Sequence, residues 1–185
     1  MKLFDLVCDV NNYASFLFKD ASESARWGDG WFEGTRRGSS YPIPVGVRNR
    51  EGDQARSEVL PDFTQLGLRP IPTFSQRAVD SLGAVLREHG ELAPIQMSEL
   101  VQYFGFNPTT IVDVLDEKKS QIKRFTDGEV MRVERHVLLD SVTSLPPIFK
   151  IPQTRRNTTY VNEMFVGLVQ EKGLTGFRFE VLFQR

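Results

Sequence analysis

The chain has 185 residues, 40% of them hydrophobic and 25% charged, with 14 Phe and a formal net charge of −1; that length suits one folded domain spanning 1–185, and the composition excludes a disordered chain. No apolar run reaches membrane-spanning length, and a chain of pI about 6.2 has no long-range field to draw phosphate backbones, so neither a membrane nor a nucleic acid is an expected partner. Cys8 is the only cysteine, which excludes an intrachain disulfide framework, and Asp5 and Asp9 interrupt the N-terminal apolar residues before they reach signal-peptide length, so the expected location is cytoplasmic.

From Lys2 to Val10 the apolar residues Leu3, Phe4, Leu6, Val7 and Val10 alternate loosely as an opening strand, which Asn11-Asn12 stops. From about 21 to 61 the pattern gives way to Gly, Ser, Pro and charge, an irregular Gly-rich region of a length that compact domains keep for binding. Order returns in "PTFSQRAVDSLGAVLREHG": Thr73 and Gln76 have capping-box spacing, Ala78, Val79, Leu82, Val85 and Leu86 share a helical stripe, and Gly90 stands where the helix should stop. "LAPIQM" and "LVQYFGFN" read as strands, with a short helical turn at Ser98-Glu99 as the alternative for the residues between them.

The stretch "TTIVDVLDEKKS" reads as a short helix or turn carrying Ile111, Val112 and Leu115 inward. Gln121 to Phe125 and Glu129 to Leu139 then flank Thr126-Asp127-Gly128, the chemistry of a tight hairpin. In its second strand, Met131, Val133 and Val137 share one face, and Arg132, Glu134 and His136 share the other, wetter face. "PPIFKIP" adds a short strand between prolines, and "NEMFVGLVQEKG" a helix capped by Asn162 and stopped by Gly173. Glu180 to Gln184 matches a protease-recognition sequence used in expression tags. Yet Phe177, Phe179, Val181 and Phe183 alternate in one phase against Arg178, Glu180 and Gln184, so the segment reads as a native closing strand. Together these elements predict an α+β domain with a mainly antiparallel or mixed sheet packed by two principal helices.

The inventory for catalysis is thin. His89 sits at a predicted helix end, where it complements the carboxyl terminus, and His136 sits in a predicted strand. With one distant cysteine they form no metal-ligand spacing, and no nucleophile elbow, phosphate loop or dinucleotide fingerprint occurs, so no cofactor and no enzymatic turnover are expected. The enzymatic alternative centres on His136 as a general base beside Glu134. Asp113, Asp116 and Glu117 beside Lys118 and Lys119 read as a solvated turn, and Arg36-Arg37, Lys123-Arg124 and Arg155-Arg156 are basic pairs without an interleaved aromatic ladder. A third class, a protein-interaction module, rests on "RWGDGWFEG": Trp27, Asp29, Trp31, Phe32 and Glu33 place apolar anchors and carboxylates in one Gly-rich loop. The competing reading of the same loop folds its rings back as a lid on the core.

The order of local patterns adds to this. The turn Val112-Asp113-Val114-Leu115-Asp116, the stretch Phe125 to Gly128, Phe149-Lys150-Ile151-Pro152, and Gly173-Leu174-Thr175-Gly176 followed by Phe177-Arg178-Phe179 resemble immunity-protein family eleven of bacterial polymorphic toxin systems. The resemblance runs from about Ile71 to Phe183. It implies an α+β fold, a closing Gly-Leu-x-Gly turn before an aromatic strand, and a non-enzymatic inhibitor whose partner is a cognate toxin protein. It carries over no catalytic residue.

Overall fold

The computed structural model describes residues 1–20, 22, 24, 31–38, 40, 41, 43–50, 57–67, 71–97 and 101–185. Its α+β architecture divides the strands between a mixed closed barrel, an antiparallel sheet and a separate hairpin. In the four-stranded sheet, β1 (Lys2–Cys8) lies between β11 (Tyr160–Asn162) and β12 (Phe177–Gln184), and β10 (Ile148–Phe149) extends the β11 edge. The barrel runs β2 (Phe16–Phe18), β3 (Val45–Arg48), β6 (Gly90–Met97), β7 (Tyr103–Pro108), β5 (Ile71–Ser75) and β4 (Phe63–Leu66). A parallel contact, Phe16 opposite Leu66, closes it. β8 (Gln121–Arg124) and β9 (Val130–Arg135) pair only with each other among the described strands.

Helix α1 (Gln76–His89) buries Ala78, Val79, Leu82 and Leu86 of the expected stripe, with Val85 partly buried. Its cap is Ser75, not Thr73: Ser75, the last residue of β5, has its Oγ accepting from the Ala78 N–H at 3.1 Å, whereas Thr73 lies two residues farther from the helix and its hydroxyl donates to the Ile71 carbonyl. Both residue types can cap, but only the residue directly before the first helical position, here Ser75, holds its side chain within reach of the free N–H groups. Gly90 is fully extended and opens β6 instead of making a left-handed stop. Its lack of a side chain serves packing, since a Cβ there would lie 2.4 Å from both the Asn107 carbonyl oxygen and the Phe106 ring. Helix α2 (Glu163–Glu171) begins at Asn162, whose Oδ1 accepts from the Phe165 N–H at 3.0 Å. It ends at Gly173 with φ +57°, the Leu174 N–H reaching back to the Val169 carbonyl and the Gly173 N–H to Gln170, as in a Schellman motif.

Period-two alternation lets β1 serve two cores. Phe4 and Leu6 face a cluster with Phe63, Phe74, Leu82, Leu86, Phe106, Phe165 and Val169, which joins both helices to the barrel wall. Leu3 faces the other way, into Val114, Leu115, Leu138, Phe149, Ile151 and Tyr160. A third cluster, built on Phe16, Phe32, Leu66, Ile71, Ile95 and Tyr103, joins barrel strands to residue 32. Each fully buried Phe or Leu here contributes about 1.5–3 kcal/mol against exposure.

Several expectations change. The Gly-rich region contributes β3 to the barrel. Residues 110–120 form bridges and the turn alternative, not a helix; Leu115 is buried as expected and Val112 partly so, but Ile111 is exposed and Val114 is buried. In β12 the alternation breaks: the register with β1 shifts between Leu3 and Phe4, Val181 is exposed, and Leu182 packs inward beside Phe183. The final segment is nonetheless a paired strand along β1. His136 lies past the end of β9 and is buried, not on a wet face.

Candidate functional site

Trp27 and Asp29 lie outside the described residues. Trp31, Phe32 and Glu33 turn toward the body of the protein. The Trp31 indole packs against the barrel cluster with the Arg37 guanidinium 4.9 Å over its ring. Phe32 is 7% exposed, its ring centroid 5.5 Å from that of Tyr41. Glu33 forms an ion pair with Arg156 at 3.4 Å.

Two polar side chains hold this segment down. Asn107, fully buried at the end of β7, accepts from the Gly34 N–H at 2.8 Å and donates to the Thr35 carbonyl and the Tyr41 hydroxyl. Glu91 in β6 accepts from the Arg37 and Gly38 N–H groups and from the Tyr41 hydroxyl. Desolvation pushes the Glu91 carboxyl up, but those hydrogen bonds outweigh it and hold the group below the usual carboxylate range. Burial and the bond to Glu91 raise the Tyr41 hydroxyl above its ordinary value. Phe32 is therefore covered within the barrel cluster, while Trp31 is partly buried against it.

A cleft of about 380 Å³ opens elsewhere, between the tip of the β8–β9 hairpin and the turn at 152–157. Phe125, Glu129 and Val130 form one wall, and Gln153, Thr154, Arg155 and Arg156 belong to the other. The hairpin places Phe125 because the Phe125 N–H donates to the Glu129 carbonyl and the Gly128 N–H returns to Phe125, with Gly128 at φ +88° supplying the turn. Phe125 remains 48% exposed. Opposite it, Pro152–Thr154 is one turn of 3-10 helix. Gln153 fixes that turn by donating to Asp113 and Glu117, at 3.1 and 2.8 Å, and Glu117 also receives Arg124 at 2.8 Å.

A buried lysine supports the turn from beneath. Lys150 is 2% exposed, and its Nζ donates to the Arg155 carbonyl at 2.5 Å. Burial lowers its pKa to about 8, with Glu33 pulling the other way. Thr154 Oγ1 lies 2.8 Å from the Tyr160 hydroxyl, which lies 3.3 Å from His136 Nε2. Burial alone brings His136 down to about 4 and is the largest cause raising Tyr160 to about 12, so near neutral pH both side chains are uncharged. Glu134 instead pairs with Arg132 at 2.7 Å on the exposed hairpin. His136 and Glu134 thus have separate partners.

The cations around the cleft differ in their engagement. Arg156 is held by Glu33 and Glu129, and Arg124 by Glu117 and the Gly128 carbonyl. Arg155 is exposed, and its guanidinium has no hydrogen-bond or ion-pair partner among the described residues. The arrangement suits binding of a small polar group against an aromatic wall. Sequence reasoning missed this site, although an apolar Phe125 directly preceding a solvent-facing Thr-Asp-Gly turn was a usable signal. Among the described residues, no three His, Cys, Asp or Glu side chains gather as a metal site requires, and no helix is long and apolar enough to cross a membrane. No protein-family model matches the chain, and a search of curated proteins finds no match.

Proposed function

We propose that this protein is a non-enzymatic immunity protein that binds and neutralises a cognate bacterial toxin in the cytoplasm of the producing cell. The observation that carries this reading is the β8–β9 hairpin. It stands outside both larger sheets, presents Phe125 to solvent and forms one wall of an open cleft. An exposed aromatic on a fixed turn beside guanidinium groups is a combination enriched at protein-protein contacts. The resemblance of the ordered blocks between Ile71 and Phe183 to immunity-protein family eleven supplies the class of partner. Reading the chain as a binder also suits a His136 that is buried, neutral and bonded to Tyr160, since such a side chain stabilises a core without needing substrate access.

The test is to identify the neighbouring gene and, where it encodes a toxin-like protein, to co-express that protein with this one. Cells carrying the toxin alone should stop growing. Cells carrying both should survive, and the two proteins should elute as one stoichiometric complex. Survival without complex formation, or turnover of the toxin's product by this protein, would remove the reading.

A further inference from the structure

We propose that the cleft beside the hairpin receives a carboxylate-bearing segment of the protein partner, with Arg155 pairing the carboxylate and Phe125 packing against the adjoining apolar residue. The inference rests on the immunity reading for the identity of the partner, but not for the chemistry of the site.

Charge complementarity selects the occupant. Of the guanidinium groups nearest the cleft, Arg124 and Arg156 already face carboxylates, whereas Arg155 faces none among the described residues. An exposed guanidinium can hold an incoming carboxylate through two parallel hydrogen bonds, a geometry that a lysine cannot copy. Glu129 on the opposite wall and Glu117 behind the turn limit the attraction to one local anion. A polyphosphate chain would meet both carboxylates and a protein of net charge −1. A single Asp or Glu side chain, presented with an apolar neighbour, satisfies the guanidinium and the Phe125 ring together.

The main chain behind Arg155 is already arranged. Pro152 starts the 3-10 turn, Gln153 ties it to Asp113 and Glu117, and buried Lys150 holds the Arg155 carbonyl. Little backbone ordering remains to oppose binding, which is the condition under which a small contact area yields measurable affinity. A volume of about 380 Å³ is at the small end of ligand sites and suits a few side chains.

Two probes test the proposal. In the first, the labelled protein is titrated with the peptide acetyl-Ala-Glu-Phe-Glu-Ala-amide and with its Gln counterpart, and backbone amides are followed by NMR. Saturable shifts confined to 125–130 and 152–157, absent with the Gln peptide and lost in Arg155→Gln, are expected. Equal shifts with both peptides, or no saturable shift at all, would overturn the carboxylate assignment. In the second, the co-expressed toxin is bound to wild type, Arg155→Glu and Phe125→Ser. Each substitution should weaken binding by about tenfold or more with the thermal midpoint unchanged. A toxin that binds both variants as it binds wild type would overturn the cleft and leave the immunity function standing. Peptide binding by a protein that neutralises no toxin would keep the cleft and remove the immunity function.

Discussion

Gly105 leaves the space that the Phe32 ring fills. A Cβ on Gly105 would lie 3.1 Å from that ring and 3.3 Å from Ile71, closer than side chains normally approach, in the wall of the barrel. Phe32 is thereby matched to β7 as a core residue. Phe32→Ala should cost about 3 kcal/mol of stability in urea unfolding, and Gly105→Ala about 1–3 kcal/mol through overpacking. Their effects should be non-additive, because removing the ring removes the clash. Additive losses would mean that the two residues do not meet. Intact stability in Phe32→Ala with lost toxin binding would return this ring to the role of an exposed anchor.

The segment carrying Phe32 is held by polar bonds as well. Asn107→Ala removes one acceptor and two donors from a fully buried position, leaving the Gly34 N–H and the Thr35 carbonyl without their partner. A loss of about 2–4 kcal/mol is expected, since buried unsatisfied groups cost more than the bonds they replace. Hydrogen exchange distinguishes this latch from a general weakening: amides at 34–38 should lose protection while those of α1 keep most of theirs. Uniform loss across α1 would contradict a local role.

Asp5 and His136 should give the stability profile opposing slopes. Burial, with Glu180 directly across the β1–β12 pair, raises Asp5 from 3.8 to about 6. Between pH 4 and 6 the folded state holds a proton that the unfolded chain has released, so this group lowers stability as pH rises. Burial lowers His136 from 6.5 to about 4. Over that range the unfolded chain takes a proton that the folded state refuses, so this group lowers stability as pH falls. Wild type should therefore vary little on their account between pH 4 and 6. Asp5→Asn should gain about 1–2 kcal/mol at pH 7.5, lose that gain below pH 4, and show a steeper acid decline than wild type. A gain independent of pH would show that Asp5 acts through packing alone.

What was legible in the sequence follows from how local each signal is. The stripe of α1, the Asn162 cap of α2 and the Asp-Gly hairpin are set by neighbours within a few residues, and the structure contains all three. The barrel is different. Its closure depends on Phe16 meeting Leu66 and on β3 meeting β6, pairings between short strands far apart in the chain that leave little periodicity to read. The same limit hid the cleft, where Phe125 and Arg155 come from segments joined only by tertiary contact. His136 was misplaced because alternation was extended past Arg135, where β9 ends. The β12 phase was overrun in the same way at its bulge.

Lys150 links stability to the shape of the cleft, and the two effects can be separated. Its ammonium is buried with pKa lowered to about 8, while the unfolded side chain titrates near 10.5. Between those values the unfolded chain holds the proton that the folded state has lost, so this group raises stability from pH 8 to 10.5, against the opposite slopes that the raised Cys8, Tyr41 and Tyr160 give above their ordinary values. Lys150→Met keeps an unbranched side chain one atom shorter and removes the charge. Its thermal midpoint should lack this alkaline contribution, and at pH 7 the relieved burial of charge should offset much of the lost bond to the Arg155 carbonyl, leaving net stability within about 2 kcal/mol of wild type. The turn should nevertheless loosen, because that carbonyl loses its donor. Faster exchange at the Asn157 and Thr158 amides, which bond to Thr154 within the same turn, would register it. If that contribution persists in Lys150→Met, another group titrates there; if 152–157 stays as protected as in wild type, the lysine does not brace the cleft.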